Sequence, residues 1–256
     1  GFADGQENDG RGGWTDQGPA NDLRMMTPGR KNLAGVGFHV LDPASNRGRS
    51  CLALRGRNRP GFPVEAAVPA NGADARYLYL FHASAWEAKP GTPLGEIIAM
   101  ENDGTEHVIP LESGRDVGNF WNPVNRANAA VVWNAANGSA RIGLYLSRFK
   151  FPGKPLRELR FRSAGNAVWM IVSASLSNDL IELPRSQPVY ITADAEWRPI
   201  RHKFPVRPGS AIDFSGLLDA PAGKYGFIRN DAGRFRFETG PGSEIRFYGA
   251  NICQEA

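Results

Sequence analysis

Trp14, Asp16, Gln17, Asn21 and Asp22 fall within nine residues of one another, inside the run DGRGGWTDQGPANDL at residues 9–23. Sugars offer C–H faces that stack on an indole, and vicinal hydroxyls that pair with carboxylates and amides. This run supplies both kinds of group. Two further tryptophans extend the set. Trp86 ends an aromatic strand-like run and precedes Glu87, and Trp121 sits in the loop-like Phe120-Trp121-Asn122-Pro123. Trp14, Asp16, Gln17, Asn21, Asp22, Trp86 and Trp121 are therefore the candidate ligand-binding residues. A structural role competes with this one: Trp14 plugs one end of the fold, while Asp16 and Asp22 satisfy backbone N–H groups.

The same run suits a cation. Asn8-Asp9-Gly10 and Asp16 bring hard oxygen donors into a glycine-rich loop, as calcium requires, although the spacing is not that of an EF-hand. Asp9 and Asp16 are the candidate calcium ligands. The four histidines, His39, His82, His107 and His202, lack the spacing of a metal site. His82 lies in the most apolar strand-like run and reads as a core residue. No G-x-S-x-G elbow, P-loop or G-x-G-x-x-G fingerprint occurs. A glycosidase pair needs two carboxylates at a suitable separation. Asp16, Asp22, Glu87 and Asp103 are available for one, but nothing in the sequence selects a pair, so no catalytic residue is assigned.

The elements that must position these groups are strands. Hydrophobic residues make up 41% of the 256-residue chain, enough for a sizeable core, and 30 glycines and 19 prolines mark frequent turns. Strand-like runs fall at 35–41, 51–55, 64–68, 75–86, 96–101, 106–111, 129–133, 142–149, 156–161 and 168–176. In the run 75–86, alternation places Tyr77, Tyr79 and Phe81 on one face and Leu78, Leu80 and His82 on the other. Both faces are largely apolar, which predicts a central strand. Asn102-Asp103-Gly104-Thr105 between two apolar runs predicts a hairpin. Short helical turns are expected only at 114–121 or 175–183.

This spacing predicts an all-β jelly-roll sandwich over residues 1–195. A smaller β segment over 196–256 is expected to hold strands at 211–214, 225–228, 234–238 and 244–252, with a hairpin tip at 239–243. The net charge is only +4. A local cluster of Arg47, Arg49, Arg55, Arg57 and Arg59 reads as a solvated loop, with attraction for a sulfated or uronic glycan as the alternative. No aromatic-interleaved basic stripe points to nucleic acid, and no apolar run reaches the roughly 20 residues of a membrane span. The first residues lack the charged region and apolar core of a signal peptide, as expected of a mature start. Cys51 and Cys253 form no metal motif and read as buried free thiols.

The opening run, with Leu80-Phe81-His82-Ala83-Ser84-Ala85-Trp86 and the Asp103-Gly104-Thr105 hairpin, resembles the galactose-binding-like β-sandwich modules attached to large bacterial glycoside hydrolases. Near the other end, Phe235-Arg236-Phe237-Glu238 followed by Ile245-Arg246-Phe247-Tyr248-Gly249-Ala250-Asn251 resembles the opening of a (β/α)8 glycosidase barrel. In such barrels the acid/base and the nucleophile lie at the ends of later strands. The resemblance implies a non-catalytic accessory module that binds polysaccharide or oligosaccharide. It also implies a catalytic domain in the same parent chain and a secreted, periplasmic or cell-surface location in a bacterium. Two other expectations stand beside it: a structural spacer packed on the catalytic barrel with no ligand of its own, and a β-sandwich that is itself a glycan-active enzyme.

Overall fold

In the computed structural model, the strand with two apolar faces is the centre of the larger sheet. The structure describes residues 1–186, 207–211, 213, 215–217, 220–221, 223–240, 242 and 244–245. The chain divides into two compact units, Gly1–Tyr190 and Ile191–Ala256.

The first unit carries eleven strands: β1 (Gly29–Leu33), β2 (Val36–Val40), β3 (Leu52–Leu54), β4 (Glu65–Asp74), β5 (Tyr77–Ala85), β6 (Pro93–Glu101), β7 (Glu106–Glu112), β8 (Ala129–Ala136), β9 (Arg141–Lys150), β10 (Pro155–Ser163) and β11 (Val168–Ser177). They form a five-stranded sheet in the order β3-β11-β5-β9-β8, a four-stranded sheet in the order β4-β10-β6-β7, and a separate hairpin β1-β2. Every ladder is antiparallel. The all-β, sandwich-like class is as expected from the sequence.

The faces of β5 explain why it is apolar throughout. On one side His82 meets Trp169 of β11, and Trp169 packs edge-on against Phe161 of β10 at 5.8 Å, joining the two sheets. On the other side Phe81 packs against Phe38 of β2 at 5.6 Å. Tyr79 reaches past the sheet, donates to the Asp179 carbonyl and accepts from the Ile181 N–H, both at 2.8 Å. A strand covered on both faces has no polar alternation to show. By contrast, the edge strands β4 and β7 are half exposed. Each carries a proline, Pro69 and Pro110, which gives nothing to the ladder and discourages a further strand.

Three expectations need correction. Residues 29–33 form a strand that the sequence pattern does not announce. Residues 114–121 are not helical: they run beside the end of β5 through a parallel bridge of Ser84 with Asn119. Residues 175–177 belong to β11 rather than to a helical turn.

In the second unit, strands Ile228–Asp231 (β12) and Arg234–Phe237 (β13) form a hairpin that turns at Ala232-Gly233. The expected tip at 239–243 follows β13 and belongs to a different pairing; residues 241 and 243 lie outside the described residues, while the Ile245 N–H donates to the Phe235 carbonyl at 2.8 Å. Among the described residues the single helical element is a 3-10 turn at Ser215–Leu217. Most of the expected strand 244–252 lies outside the described residues, as do Trp197, His202 and Cys253. Cys51 is a half-buried free thiol, and burial pushes its pKa up to about 11 despite the nearby N-terminal charge. No described helix is long and apolar enough to cross a membrane.

Candidate functional site

The glycine-rich run folds inward on itself. Phe2 and Leu23 are buried, and the Leu23 N–H donates to the Phe2 carbonyl at 2.9 Å, closing the segment into a loop. Asp4 sits inside the loop, 2% exposed, and accepts from the N–H groups of Gln6 (3.2 Å) and Gly18 (2.9 Å). Gly13 takes φ +46° directly over it, and a Cβ there would come within 2.9 Å of the Asp4 carboxylate. Only glycine meets both demands.

Asp22 is spent on this architecture. It accepts from the Asp4 N–H at 2.8 Å and from Arg24 Nε and an Arg24 terminal nitrogen at 2.7–2.9 Å. Burial pushes its carboxyl pKa up. The Arg24 guanidinium and two backbone N–H groups more than offset that and hold it below the ordinary carboxylate value. Trp14 is equally enclosed. It is 1% exposed and packs edge-on against Phe120 at 4.8 Å. Neither Trp14 nor Asp22 presents a surface to a ligand, so the structural role foreseen for each is the one the geometry serves. Asn21 is half-buried and donates to the Gln17 carbonyl at 2.7 Å.

The acidic donors do converge. Asp4, Asp9 and Asp16 each bring a carboxylate oxygen within 4.8 Å of the others. Asp16 takes φ +52°, and its Oδ1 is buried with no hydrogen-bond partner among the described residues. Asp9 and Asp16 were singled out by sequence. Asp4 was not, because no spacing rule links it to them.

The remaining candidates line a pocket at the end of the sandwich. Gln17, Ala85, Trp86, Asn119, Phe120 and Trp121 enclose about 170 Å³, below the roughly 300–1,000 Å³ of a drug-sized site. Trp86 directly follows β5 with φ +52°. That conformation is rare for a bulky residue and costs on the order of 1–3 kcal/mol. Arg59 holds the ring in place, its guanidinium 5.2 Å from the ring centre. The same guanidinium donates to the Thr15 carbonyl and to the Asp16 carbonyl, the latter at 3.2 Å. Arg59 thus ties the opening loop to Trp86.

The opposite wall is backed by aromatic packing. Phe120 touches Trp14 on one side and Trp121 on the other, at 5.9 Å. The Trp121 N–H donates to Asn119 Oδ1 at 3.2 Å, while its indole Nε1 is buried without a hydrogen-bond partner among the described residues. No protein-family model matches the chain, and no curated protein matches it either.

The four carboxylates considered for a hydrolytic pair are dispersed over different roles. Glu87 pairs with Arg126 at 3.2 Å, Asp22 with Arg24, and Asp16 belongs to the acidic cluster. Asp103 caps the Thr105 N–H at the tip of the β6–β7 hairpin. Arg59 and Asn119, which sequence reasoning did not place at the site, complete the pocket surroundings.

Proposed function

We propose that the sandwich is a non-catalytic, galactose-binding-like carbohydrate-binding module of a glycan-degrading enzyme, and that the pocket of Gln17, Trp86, Asn119 and Trp121 receives a single sugar ring. One observation carries this reading. Two half-buried tryptophans face a small cavity with two side-chain amides, and one of them is held there in a strained backbone conformation. Strain of this kind persists where the surroundings enforce it, and it concentrates at ligand sites. Indole faces serve the C–H face of a sugar, and amides serve its hydroxyls. The resemblance of the opening run to glycosidase accessory modules supports the same reading. On it, the parent chain continues toward a catalytic barrel and acts outside the bacterial cytoplasm.

The reading includes a calcium ion on Asp4, Asp9 and Asp16. Calcium–oxygen distances of about 2.3–2.6 Å put oxygens that share one ion within roughly 5 Å of each other, and the cluster meets that limit. The ion would neutralise three crowded carboxylates and fix the loop that carries Gln17. Calcium should then raise the melting temperature relative to chelator in the wild type and leave Asp16→Asn unmoved. Equal melting in calcium and chelator would remove the ion from the account.

The binding test is affinity electrophoresis against a panel of neutral polysaccharides, followed by calorimetry with the oligosaccharides of any hit. Trp86→Ala and Trp121→Ala should each weaken binding about tenfold or more, that is by ~1.4 kcal/mol or more. If both folded variants bind like the wild type, the pocket is not the binding site; if no glycan binds, the module is a spacer. The burial of Trp14 and the internal use of Asp22 are the observations that favour that second reading.

A further inference from the structure

The hairpin β1–β2 carries two cations and a histidine without carboxylates. Arg30 and His39 stand directly opposite each other across its ladder, both exposed, and Lys31 follows Arg30. Among the described residues Arg30 and His39 have no ion-pair or side-chain hydrogen-bond partner, and Lys31 reaches only Thr27 Oγ1 at 2.8 Å. Elsewhere on the sandwich Arg24, Arg115, Arg126, Arg148, Arg160 and Arg162 are all engaged by carboxylates.

These side chains line an open groove of about 580 Å³ whose other wall is Ser173, Ala174 and Ser175 of β11. No carboxylate lines it. The Ser175 hydroxyl donates to the Gly37 carbonyl at 2.5 Å and holds the two walls together. Gly37 is exposed, and a side chain there would meet nothing within 4 Å. Asn32 accepts the Gly35 N–H through Oδ1 at 3.0 Å, which leaves its amide as a donor.

We propose that this groove binds an anionic polysaccharide, carboxylated or sulfated, at a site separate from the aromatic pocket and independent of it. A guanidinium forks onto a carboxylate or sulfate through two parallel hydrogen bonds. The Asn32 amide and the Ser173 hydroxyl answer the sugar hydroxyls between successive charges. The lining also argues against other polyanions. Its one benzene ring, Phe38, is 4% exposed and turned onto Phe81, so the small His39 imidazole is the sole exposed ring of the lining, short of the row of stacking platforms that single-stranded nucleic acid requires. No large exposed apolar side chain lines the groove to anchor a peptide.

The test is affinity electrophoresis of the full chain in gels that contain polygalacturonate, a sulfated galactan or a neutral galactan, at about 0.15 M ionic strength. Arg30→Gln/Lys31→Gln is compared with Lys89→Gln/Lys150→Gln, two exposed lysines whose loss removes the same charge elsewhere. The wild type should be retarded by one of the acidic gels and less by the neutral one. The groove variant should bind about tenfold more weakly, while the control variant and Trp86→Ala bind acidic glycan like the wild type. Gly37→Glu, which places a carboxylate in the groove at an ordinary backbone angle, should abolish the retardation and keeps the test valid should the double variant fail to fold. Four results would overturn the proposal: no retardation by either acidic glycan; equal loss in the groove and control variants; full binding by Gly37→Glu; or competition by polyglutamate or single-stranded DNA as strong as by free polygalacturonate.

Discussion

The interior of the opening loop and the pocket at the end of the sandwich hold the same kinds of residue and put them to opposite uses. Inside the loop, Trp14 is sealed against Phe120 and Asp22 is saturated by Arg24 and the Asp4 N–H. At the pocket, Trp86 and Trp121 keep part of their surface open, and Gln17 and Asn119 stand beside them. Residue type alone does not separate the two regions. What separates them is how fully the backbone nearby has claimed the polar groups: at the pocket Asn119 spends only its Oδ1, on the Trp121 N–H. Four glycines of the opening segment, Gly1, Gly12, Gly13 and Gly18, press chain onto chain, and the carboxylates are drawn in to satisfy the N–H groups this exposes. The pocket lies where three loops meet without such pressing.

The strongest way to break the comparison is to cut out the sealed indole. Trp14→Ala removes a side chain that is 1% exposed and supports Phe120. It should destabilise the sandwich by ~3–5 kcal/mol in urea unfolding, with Phe120, and through it Trp121, losing its backing. A loss below ~1 kcal/mol would mean that Trp14 contributes little to the core, and the contrast with Trp86 would collapse.

The core beneath the loops makes a second prediction, through pH. His82 is fully buried: Trp169 Nε1 donates to its Nδ1 at 3.0 Å, and its Nε2 bonds Ser147 Oγ at 2.8 Å. Burial lowers its pKa from 6.5 to about 3, against the opposing pull of Asp116. The unfolded chain therefore binds a proton that the folded chain refuses. Stability is full above the unfolded value and falls as pH drops from there toward the folded one. From pH ~7.5 to ~4.5 the loss should be on the order of 2–3 kcal/mol, measured by urea midpoints. A His82→Gln variant that keeps the same acid slope would contradict this.

Asp22→Asn probes the carboxylate side of the sealed region. It removes the charge that Arg24 embraces but keeps an acceptor for the Asp4 N–H, so the expected cost is ~1–2 kcal/mol. The same variant should leave glycan binding at the pocket intact. Loss of binding without loss of stability would move Asp22 from the architecture to the site.

Much of this fold was legible in the sequence because long apolar or alternating runs leave few options. The two-faced β5 and the Asp103-Gly104 hairpin are the clearest cases. β1 was not legible. Its residues Gly29–Leu33 are mostly polar, and its turn to β2 uses Ala34 at φ +51° beside Gly35, where Asn-Gly would have signalled a tight hairpin. At the site, the tryptophans and Gln17 could be named from their chemistry. Asp4 and Arg59 could not. Asp4 acquires its role only through the closeness of Gly13 and Gly18, and Arg59, within a run of arginines that reads as solvated, reaches Trp86 across 27 residues of chain.

The smallest stability effect is expected at the most exposed part of the comparison. Trp86→Gly removes the ring but also releases a left-handed backbone angle that glycine adopts freely. The relief of strain offsets the lost packing of a half-buried ring and its Arg59 contact, so net stability should change by less than ~1 kcal/mol. Binding at the pocket should nonetheless fall about tenfold, as for Trp86→Ala. Urea unfolding and calorimetry on the same preparation separate the two quantities. If Trp86→Gly unfolds as readily as Trp14→Ala, then Trp86 is another sealed core residue, and the distinction between the loop interior and the pocket does not hold.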